Sequence, residues 1–411
     1  MRPRRRPPDL VLLIAVLVLL VLGIVMVYSA SFIIGHNEYG DGSYFLLRHL
    51  TALMVGLVGL GLVAGTDYRR WRGWALPALV GCLVLLVVVL VPGIGTEIHG
   101  ARRWISLGRL QVQPSELTKL AIVVFLAAWL AARPGRASQL NAALLFCGLI
   151  GLVALLIMRE PDMGTTIVIV LAAISVFWVA GANLAHVLVV GAVGTATLAV
   201  LATSAAYRAQ RLQGWSDPWA DPQGAGWHTV QSLIALGSGG VFGRGLGAGL
   251  QKAYYLPNAH TDAIFSVVGE ELGLLGTVGV LVLFAVIAWR GLLIARQASD
   301  LFGRLLAVGM VALLVWQALL NMMVAVNAVP FTGVTLPFLS FGGTSLVVCL
   351  LAVGVLLSVS RGPLGSVAEA PARRAAPVPP RQRAAAEWPP AAAPRALASW
   401  PSRAPTRRRV R

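Results

Sequence analysis

Long apolar runs, separated by short polar segments, occupy the sequence from about residue 11 to residue 360. Each run approaches the 20 or so apolar residues that an α-helix needs to cross the hydrocarbon core of a bilayer. The pattern therefore predicts an all-α polytopic membrane protein with ten transmembrane helices. The predicted spans are residues 11–33, 46–64, 75–92, 115–132, 140–158, 163–180, 184–204, 263–289, 304–326 and 342–360.

One long polar stretch interrupts this pattern between the seventh and eighth spans, which predicts a single large extracytoplasmic loop over residues 205–262. Two Asp-Pro steps and several glycines exclude a regular helix over residues 214–226. Residues 227–237 have the pattern of a short amphipathic helix. Residues 237–249 then carry seven glycines, which would let backbone N–H groups approach an anionic or sugar ligand, or let the loop re-enter the membrane surface.

Composition agrees with membrane insertion, since 57% of residues are hydrophobic and only 12% are charged. Soluble globular proteins carry about 25% charged residues. With the N-terminus inside, 23 of the 33 Lys and Arg residues fall on the cytoplasmic side. Because cationic loops stay cytoplasmic, both termini are predicted to be cytoplasmic. Arg102, Arg103 and Arg109 lie outside against this rule, so their segment is held by partners or binds an anion.

The two ends of the chain carry most of the net charge of +17. Residues 1–10 form a basic head, and residues 361–411 form a tail rich in Arg, Pro and Ala, which is predicted to be disordered and cytoplasmic. Anionic lipid headgroups are the favoured partners of these ends. No nucleic-acid partner is predicted, because no basic domain interleaved with aromatic residues accompanies the charge.

Several polar residues lie at the predicted membrane boundary. Pro114 suits the first turn of the fourth span, which places Glu116 and Lys119 on one helical face. They form an internal ion pair or hold a substrate headgroup. Asp162 is a candidate N-cap for the sixth span.

Two carboxyl residues, Glu270 and Glu271, lie within the eighth span, about 12 Å deeper than Asp262 at 1.5 Å per residue. Adjacent carboxyls at that depth require a polar cavity or buried partners. After the ninth span, residues 327–345 contain prolines and glycines but no charge. That composition predicts a re-entrant loop buried in protein.

The chemistry available outside the membrane centres on Asp262, which has two histidines and several cations near it in sequence. No HExxH, paired CxxC or GxSxG motif occurs. A carboxylate can accept a hydroxyl proton while cations stabilise a departing phosphate. The same residues would also suit a proton-coupled transporter, and spacing alone leaves both open.

Five polar or glycine-rich motifs occur along the chain: GARRWISLGRLQVQPSELTK, REPDMGT, DPWADPQGAGWHTVQSLIALGSGGVFGRGLG, QKAYYLPNAHTDAIFSVVGEELGLLG and NMMVAVNAVPFTGVTLPFLSFGGTS. These motifs resemble those of the SEDS family, named for shape, elongation, division and sporulation. They occur in order over about residues 10–360 and are long enough to be highly specific. Around residues 217–262 the resemblance is closer to the division branch than to the elongation branch. The chain departs from the common pattern at Asn258, Ala263 and Phe341.

The resemblance implies a peptidoglycan glycosyltransferase in the bacterial cytoplasmic membrane that polymerises lipid II at the outer face, for septal wall synthesis in cell division. It implies a class B penicillin-binding protein as partner, supplying the transpeptidase, together with other division proteins. Asp262 would be the catalytic carboxylate that deprotonates the acceptor 4-hydroxyl of N-acetylglucosamine.

Other site residues are predicted around that base. External cations that could meet the diphosphate are Arg102, Arg103, Arg159, Arg244 and Lys252, and Lys119 is a further candidate. The predicted substrate-binding residues are Arg102, Trp104, Lys119, Arg159, Lys252, His260 and Ser340. The predicted structural or cavity residues are Glu116, Glu270 and Glu271.

Alternatives remain at this point. A lipid II flippase is the first, motivated by ten helices and intramembrane carboxylates. An elongation-type polymerase and a scaffold that recruits the septal synthase are the others. No cofactor is required by the sequence, although diphosphate chemistry leaves room for a divalent cation, Mg²⁺ or Mn²⁺, whose ligands cannot be read from it.

Overall fold

The computed structural model describes residues 7–98, 101–107, 110–203 and 206–362. Most of the predicted basic head and tail, residues 1–6 and 363–411, lies outside the described residues. The rest is mainly helical, and each of the ten predicted spans overlaps one apolar helix. These helices are α1 (Leu10–Tyr39), α2 (Tyr44–Gly65), α3 (Trp71–Leu90), α4 (Pro114–Ala131), α5 (Leu140–Arg159), α6 (Met163–Val179), α7 (Leu184–Thr203), α10 (Ile264–Gln297), α11 (Leu301–Ala325) and α12 (Gly343–Ser360).

Within the described residues, eight helices are long and apolar enough to cross a membrane, namely α1 to α5 and α10 to α12. Helix α6 has 17 residues and is a shorter apolar helix. The chain is therefore a multi-pass membrane protein by helix length and composition.

A small sheet departs from the predicted all-α class. Strands β1 (Gly95–Ile98), β2 (Ala101–Leu107) and β3 (Leu110–Val112) pair antiparallel in the order β1-β2-β3. The all-α prediction is wrong for this segment. The strands are three to seven residues long, so a search for 20-residue apolar runs passes over their short alternation of polar and apolar positions.

The helix starts predicted at Pro114 and Asp162 are confirmed. Helix α4 begins at Pro114, and the Asp162 carboxylate caps α6 by accepting a hydrogen bond from the Thr165 backbone N–H at 3.0 Å. The amphipathic helix predicted at residues 227–237 is α9 (Trp227–Ser238). Helix α8 (Ala206–Ser216) precedes it and was not predicted.

Helix α11 is the central helix. Of its most apolar 18-residue stretch, 83% is buried, against 22% for the corresponding stretch of α10. Its burial makes its polar side chains costly unless they are paired. Gln317 and Asn321, one helical turn apart, are both buried and donate to the segment that follows α11. Residues 327–345 are thereby held against the protein interior, and several of their side chains are buried, as predicted.

Helix α10 is broken at Gly273, where φ is 67° and ψ is −161°. The glycine-rich segment of residues 239–249 enters this break and supplies hydrogen bonds that the helix has lost. The Arg244 backbone N–H donates to the carbonyl of Glu270 at 3.0 Å. A Cβ on Gly243 would lie 2.1 Å from the carbonyl oxygen of Glu271, so this close approach requires glycine.

At each end of the helix bundle, polar contacts connect segments that are distant in sequence. At one end Arg290 pairs with Asp9 at 2.6 Å, and Arg69 pairs with Asp300 at 3.1 Å. At the other end the Trp215 indole N–H donates to the carbonyl of Asn327 at 3.1 Å. Each contact joins segments that the charge pattern assigns to the same side of the membrane.

Candidate functional site

Asp262 lies two residues before α10 and lines a cavity of about 260 Å³. The residue is 9% exposed. Burial raises the pKa of its carboxyl to about 6, although the Thr261 hydroxyl, which donates to it at 3.2 Å, acts in the opposite direction. The carboxylate is thus half-protonated near pH 6, which suits a group that exchanges a proton near neutral pH. The other lining residues are Ala101, Arg103, Trp104, Arg211, Asn258, Phe331, Thr332 and Gly333.

The wall of the cavity around Asp262 is fixed from α11. The Asn321 amide donates to the carbonyl oxygens of Asp262 and Val334, each at 2.7 Å. One buried side chain therefore ties the segment before α10 to the segment after α11. The Asp262 main chain cannot move away from the opposite wall without breaking a buried hydrogen bond.

Arg103 enters the cavity from strand β2. Its guanidinium donates to the backbone carbonyls of Glu160 and Pro161, in the turn between α5 and α6. This turn belongs to the REPDMGT motif, so the structure brings that motif and the GARRW motif together beside Asp262. Sequence spacing could not have shown the contact, since 57 residues separate Arg103 from Glu160.

The Glu160 carboxyl leaves the Arg103 charge largely uncompensated. Glu160 is fully buried, and neither carboxyl oxygen has a hydrogen-bond partner among the described residues. Burial, reinforced by the nearby Asp162 charge, raises the Glu160 pKa to about 9. It is therefore protonated at neutral pH, and the positive charge of Arg103 remains available to an anion at the cavity.

A second cation approaches from α8. The Arg211 guanidinium lies 5.0 Å from the centroid of the Phe331 ring, and the His228 ring lies 4.1 Å from the same ring. Arg103 and Arg211 give the cavity two positive charges against the single carboxylate of Asp262. Such a cavity favours an anionic ligand beside the base.

Trp104, predicted to bind substrate, lines the same cavity. His260, two residues before Asp262, does not. Its ring packs against Phe45 at 4.6 Å and Phe341 at 5.7 Å, and burial lowers its pKa to about 4. A neutral, packed histidine supports the loop here, and its contact with substrate stays a prediction.

Glu116 and Lys119 form the ion pair considered from sequence, at 2.6 Å, with both side chains almost fully buried. The Lys119 ammonium also donates to the Gln317 side-chain carbonyl at 2.7 Å. Gln317 in turn donates to the carbonyl of Thr335 at 3.0 Å. Lys119 is thus committed to a network that joins α4 to α11, and the structure does not place it on the cavity.

Lys252 is likewise used internally. Its ammonium contacts the Glu271 carboxylate at 2.6 Å, the Ser29 hydroxyl at 2.7 Å and the carbonyl of Gly247 at 2.8 Å. Three acceptors match the three N–H groups of an ammonium. Lys252 therefore has no donor left for a diphosphate in this arrangement.

Glu270 and Glu271 are fully buried and have protein partners. Glu270 accepts hydrogen bonds from the backbone N–H groups of Leu250, at 2.8 Å, and Gln251. Glu271 accepts one from Gly247, at 3.0 Å. The glycine-rich segment thus binds the Glu271 carboxylate, and the two residues that follow the segment bind the Glu270 carboxylate.

The remaining predicted substrate residues lie away from the cavity lining. Arg102 pairs with Glu97 at 3.1 Å and is about two-fifths exposed. Arg159 is exposed at the end of α5. The Ser340 hydroxyl accepts a hydrogen bond from the Leu336 backbone N–H at 2.7 Å and closes a turn. These positions give no support to their predicted contacts with substrate.

Arg211, Phe331 and Thr332 line the cavity but were not predicted as site residues. Arg211 is one of several cations of the large loop, and nothing in its spacing distinguishes it. Phe331 and Thr332 lie in a charge-free segment, which a search for titratable groups ignores. Only the contact between the two loops reveals them.

In the part of the chain that the structure describes, no three His, Cys, Asp or Glu side chains come together as a metal site. A cation held by one carboxylate and substrate phosphates would not need such a group. A divalent cation therefore stays a prediction, and no step below depends on it.

The sequence matches the FTSW_RODA_SPOVE family, described as Cell cycle protein, over residues 10–363. Stage V sporulation protein E of Bacillus subtilis (strain 168) is 42% identical over 362 residues, covering 88% of this chain and 99% of that protein. A probable peptidoglycan glycosyltransferase FtsW of Trichlorobacter lovleyi is 43% identical over 355 residues, covering 86% and 93%.

Solved structures agree with this relationship. Rod shape determining protein RodA of Thermus thermophilus has a TM-score of 0.65 at 32% identity, covering 87% of this chain and 97% of that chain. A chain of a peptidoglycan synthase complex, solved for its structural coordination of polymerization and crosslinking, has a TM-score of 0.71 at 34% identity. The match covers 87% of this chain and 98% of that chain. The protein thus belongs to the FtsW, RodA and SpoVE family of membrane cell cycle proteins.

Proposed function

We propose that this protein is a peptidoglycan glycosyltransferase that polymerises lipid II, and that it serves septal wall synthesis. The observation that carries the proposal is the cavity in which the Asp262 carboxylate, with its raised pKa, lies beside Arg103 and Arg211. A base and an anion site are what transfer from a diphosphate donor requires. Relatives named peptidoglycan glycosyltransferase support the same activity.

The reaction is a single displacement at the anomeric carbon of lipid-linked N-acetylmuramic acid. The 4-hydroxyl oxygen of the acceptor N-acetylglucosamine forms a bond to that carbon, and its proton passes to Asp262. The bond between the anomeric carbon and the diphosphate oxygen breaks, and undecaprenyl diphosphate leaves with the electron pair. Attack opposite the leaving group inverts the α linkage to β. Arg103 and Arg211 stabilise the negative charge that develops on the departing diphosphate.

The membrane arrangement is part of the proposal. All ten long helices cross the cytoplasmic membrane, both termini are cytoplasmic, and residues 205–262 lie outside. The cavity then opens at the outer face, where lipid II carries its sugars. The contacts that join Arg290 to Asp9 and Trp215 to Asn327 support this alternation, because each connects segments of one side.

A class B penicillin-binding protein is the proposed partner, supplying the transpeptidase, with other division proteins in the same assembly. The neighbour from a peptidoglycan synthase complex supports a joint machine for polymerisation and crosslinking. A division role is favoured over an elongation role because relatives named FtsW and stage V sporulation protein E reach about 40% identity. The flippase alternative loses one of its two motivations, the intramembrane carboxylates, since Glu270 and Glu271 bind the protein's own loop.

Polymerisation of purified lipid II by the detergent-solubilised protein with its cognate penicillin-binding protein tests the proposal. Asp262→Asn is expected to lower the rate by about 10²–10⁴-fold, the usual contribution of a general base, while partner binding persists. Asp217→Asn is the matched control, since Asp217 is an exposed carboxylate of the same loop. Full activity of Asp262→Asn would remove the base. An inactive wild type that still binds its partner would remove the polymerase function.

A further inference from the structure

Thr332 has a buried hydroxyl that the catalytic scheme above does not use. Thr332 is 9% exposed, and no group in the described ranges forms a hydrogen bond with its Oγ1 atom. Leaving a buried hydroxyl without a partner is unfavourable. Thr332 also lines the cavity that contains Asp262. A molecule bound in the cavity could therefore supply the hydrogen-bond partner that this hydroxyl lacks.

Two glycines, Gly164 on α6 and Gly333 next in sequence, allow the close packing around Thr332. A Cβ on Gly164, at the start of α6, would lie 2.8 Å from the Thr332 carbonyl oxygen, so α6 can approach only because residue 164 lacks a side chain. Gly333 follows with φ of +71°, and a Cβ there would lie 3.7 Å from the Asp262 carboxylate. The Thr332 main chain is thus packed against α6 and adjoins the base.

The lining of the cavity contains both charged and neutral polar groups. Arg103 and Arg211 suit a diphosphate, whereas a hydroxyl such as that of Thr332 is neutral and can both donate and accept. The rings of Trp104 and Phe331 add an aromatic surface to a lining that also contains Arg103, Arg211, Asn258, Asp262 and Thr332. At about 260 Å³ the cavity is slightly below the usual range of about 300–1,000 Å³ for ligand pockets. It therefore fits one sugar ring, with the rest of the substrate outside.

We propose that the Thr332 hydroxyl binds the acceptor N-acetylglucosamine, forming with Asp262 an acceptor-sugar subsite. The proposal rests on the function proposed above. A base must touch the hydroxyl that it deprotonates, so the sugar beside Asp262 is the acceptor, and Thr332 adjoins that sugar. The hydroxyl forms a hydrogen bond with a hydroxyl or amide oxygen of the ring and fixes the 4-hydroxyl in front of the carboxylate. Thr332 is thereby a specificity-determining residue for the acceptor.

The test varies donor and acceptor separately in the full protein with its penicillin-binding partner. Lipid II with a blocked 4-hydroxyl acts only as donor. A lipid-free disaccharide of N-acetylglucosamine and N-acetylmuramic acid, closed as a methyl glycoside, acts only as acceptor. Thr332→Val is expected to raise the acceptor KM about two- to tenfold, the effect of one lost hydrogen bond, and to leave the donor KM unchanged. Thr332→Ser, which keeps the hydroxyl, should restore most of the acceptor affinity.

Stability and pH separate this role from two others. Because the hydroxyl has no hydrogen-bond partner among the described residues, Thr332→Val should melt at the wild-type temperature or above it. A wild-type acceptor KM in Thr332→Val overturns the proposal. A shifted pH-rate midpoint with an unchanged acceptor KM also overturns it, since Thr332 would then donate to Asp262. Should Thr332→Val misfold, Thr332→Ala is measured in its place and must show the same rise in acceptor KM. Wild-type inactivity would instead reject the proposed polymerase function itself.

Discussion

At the scale of single residues, the site depends on how burial changes two carboxyl groups of unlike roles. Burial raises the pKa of Asp262 to about 6, within reach of proton exchange at neutral pH. Burial together with Asp162 raises the pKa of Glu160 to about 9, which keeps it protonated. One carboxyl is therefore available as a base, while the other leaves Arg103 positively charged next to it.

The pH dependence of the rate follows from the Asp262 pKa. A base works only when ionised, so polymerisation should rise with pH through about 6 and level off above about 7. Initial rates at saturating lipid II, measured between about pH 5 and 8, give the midpoint. A rate that is flat across this range would contradict the assignment.

The same shift predicts a change in stability. The folded state binds the Asp262 proton more tightly than the unfolded chain, so ionisation of this group weakens stability as pH rises from about 4 to above 6. Asp262→Asn should therefore raise the melting temperature at about pH 7.5 and change it little at about pH 4.

At the scale of elements, the decisive feature is the joint between the glycine-rich segment and the broken helix α10. Glu270 and Glu271 lie near this break. Glu271 accepts a hydrogen bond from the Gly247 backbone N–H of the segment, and Glu270 accepts one from Leu250, just after it. Lys252 completes the joint by binding both Glu271 and Ser29 of α1. The joint fixes the first part of α10, which begins two residues after Asp262.

Replacing Lys252 tests whether it is structural. Lys252→Met should lower the free energy of unfolding by about 3–5 kcal/mol, because Glu271 keeps a buried charge without its partner. Lys252→Met with Glu271→Gln should recover much of that loss. Thermal unfolding in detergent measures stability, and the KM for lipid II measures affinity. A higher KM with unchanged stability would restore Lys252 as a diphosphate contact.

At the scale of the whole molecule, contacts at the two ends of the bundle organise the membrane crossing. The pairs of Arg290 with Asp9 and Arg69 with Asp300 lie at the end assigned to the cytoplasm. The cavity and the segments around it lie at the other end. The proposed topology thus separates the lipid II site from the basic ends of the chain.

Cysteine labelling tests this topology. In a variant without Cys82, Cys147 and Cys349, Gln223→Cys should react with a membrane-impermeant maleimide in cells whose outer barriers are opened but whose cytoplasmic membrane is intact. Gln223 is an exposed residue of the large loop. Gln139→Cys, in the exposed turn before α5, should react only after the cytoplasmic membrane is permeabilised. The reverse pattern would invert the proposed orientation.

The sequence by itself determined the features that depend on local pattern. Apolar run length placed the helices, Pro114 and Asp162 marked helix starts, and the family motifs pointed to Asp262. Spacing of three along a helix also identified the pair of Glu116 and Lys119. The helices, their starts and the ion pair need only neighbours along the chain, so hydrophobic periodicity and capping chemistry suffice to predict them. The role of Asp262 came from the resemblance to the family.

Only the tertiary structure decided which polar groups meet at the cavity. Lys252 and Lys119 looked as suitable for a diphosphate as Arg103, yet the fold uses both lysines for buried carboxylates and leaves Arg103 at the cavity. Thr332 carried no signal at all. A charge or hydroxyl acquires its role from partners far away in sequence, and burial then decides whether it is paired inside the protein or available to a substrate.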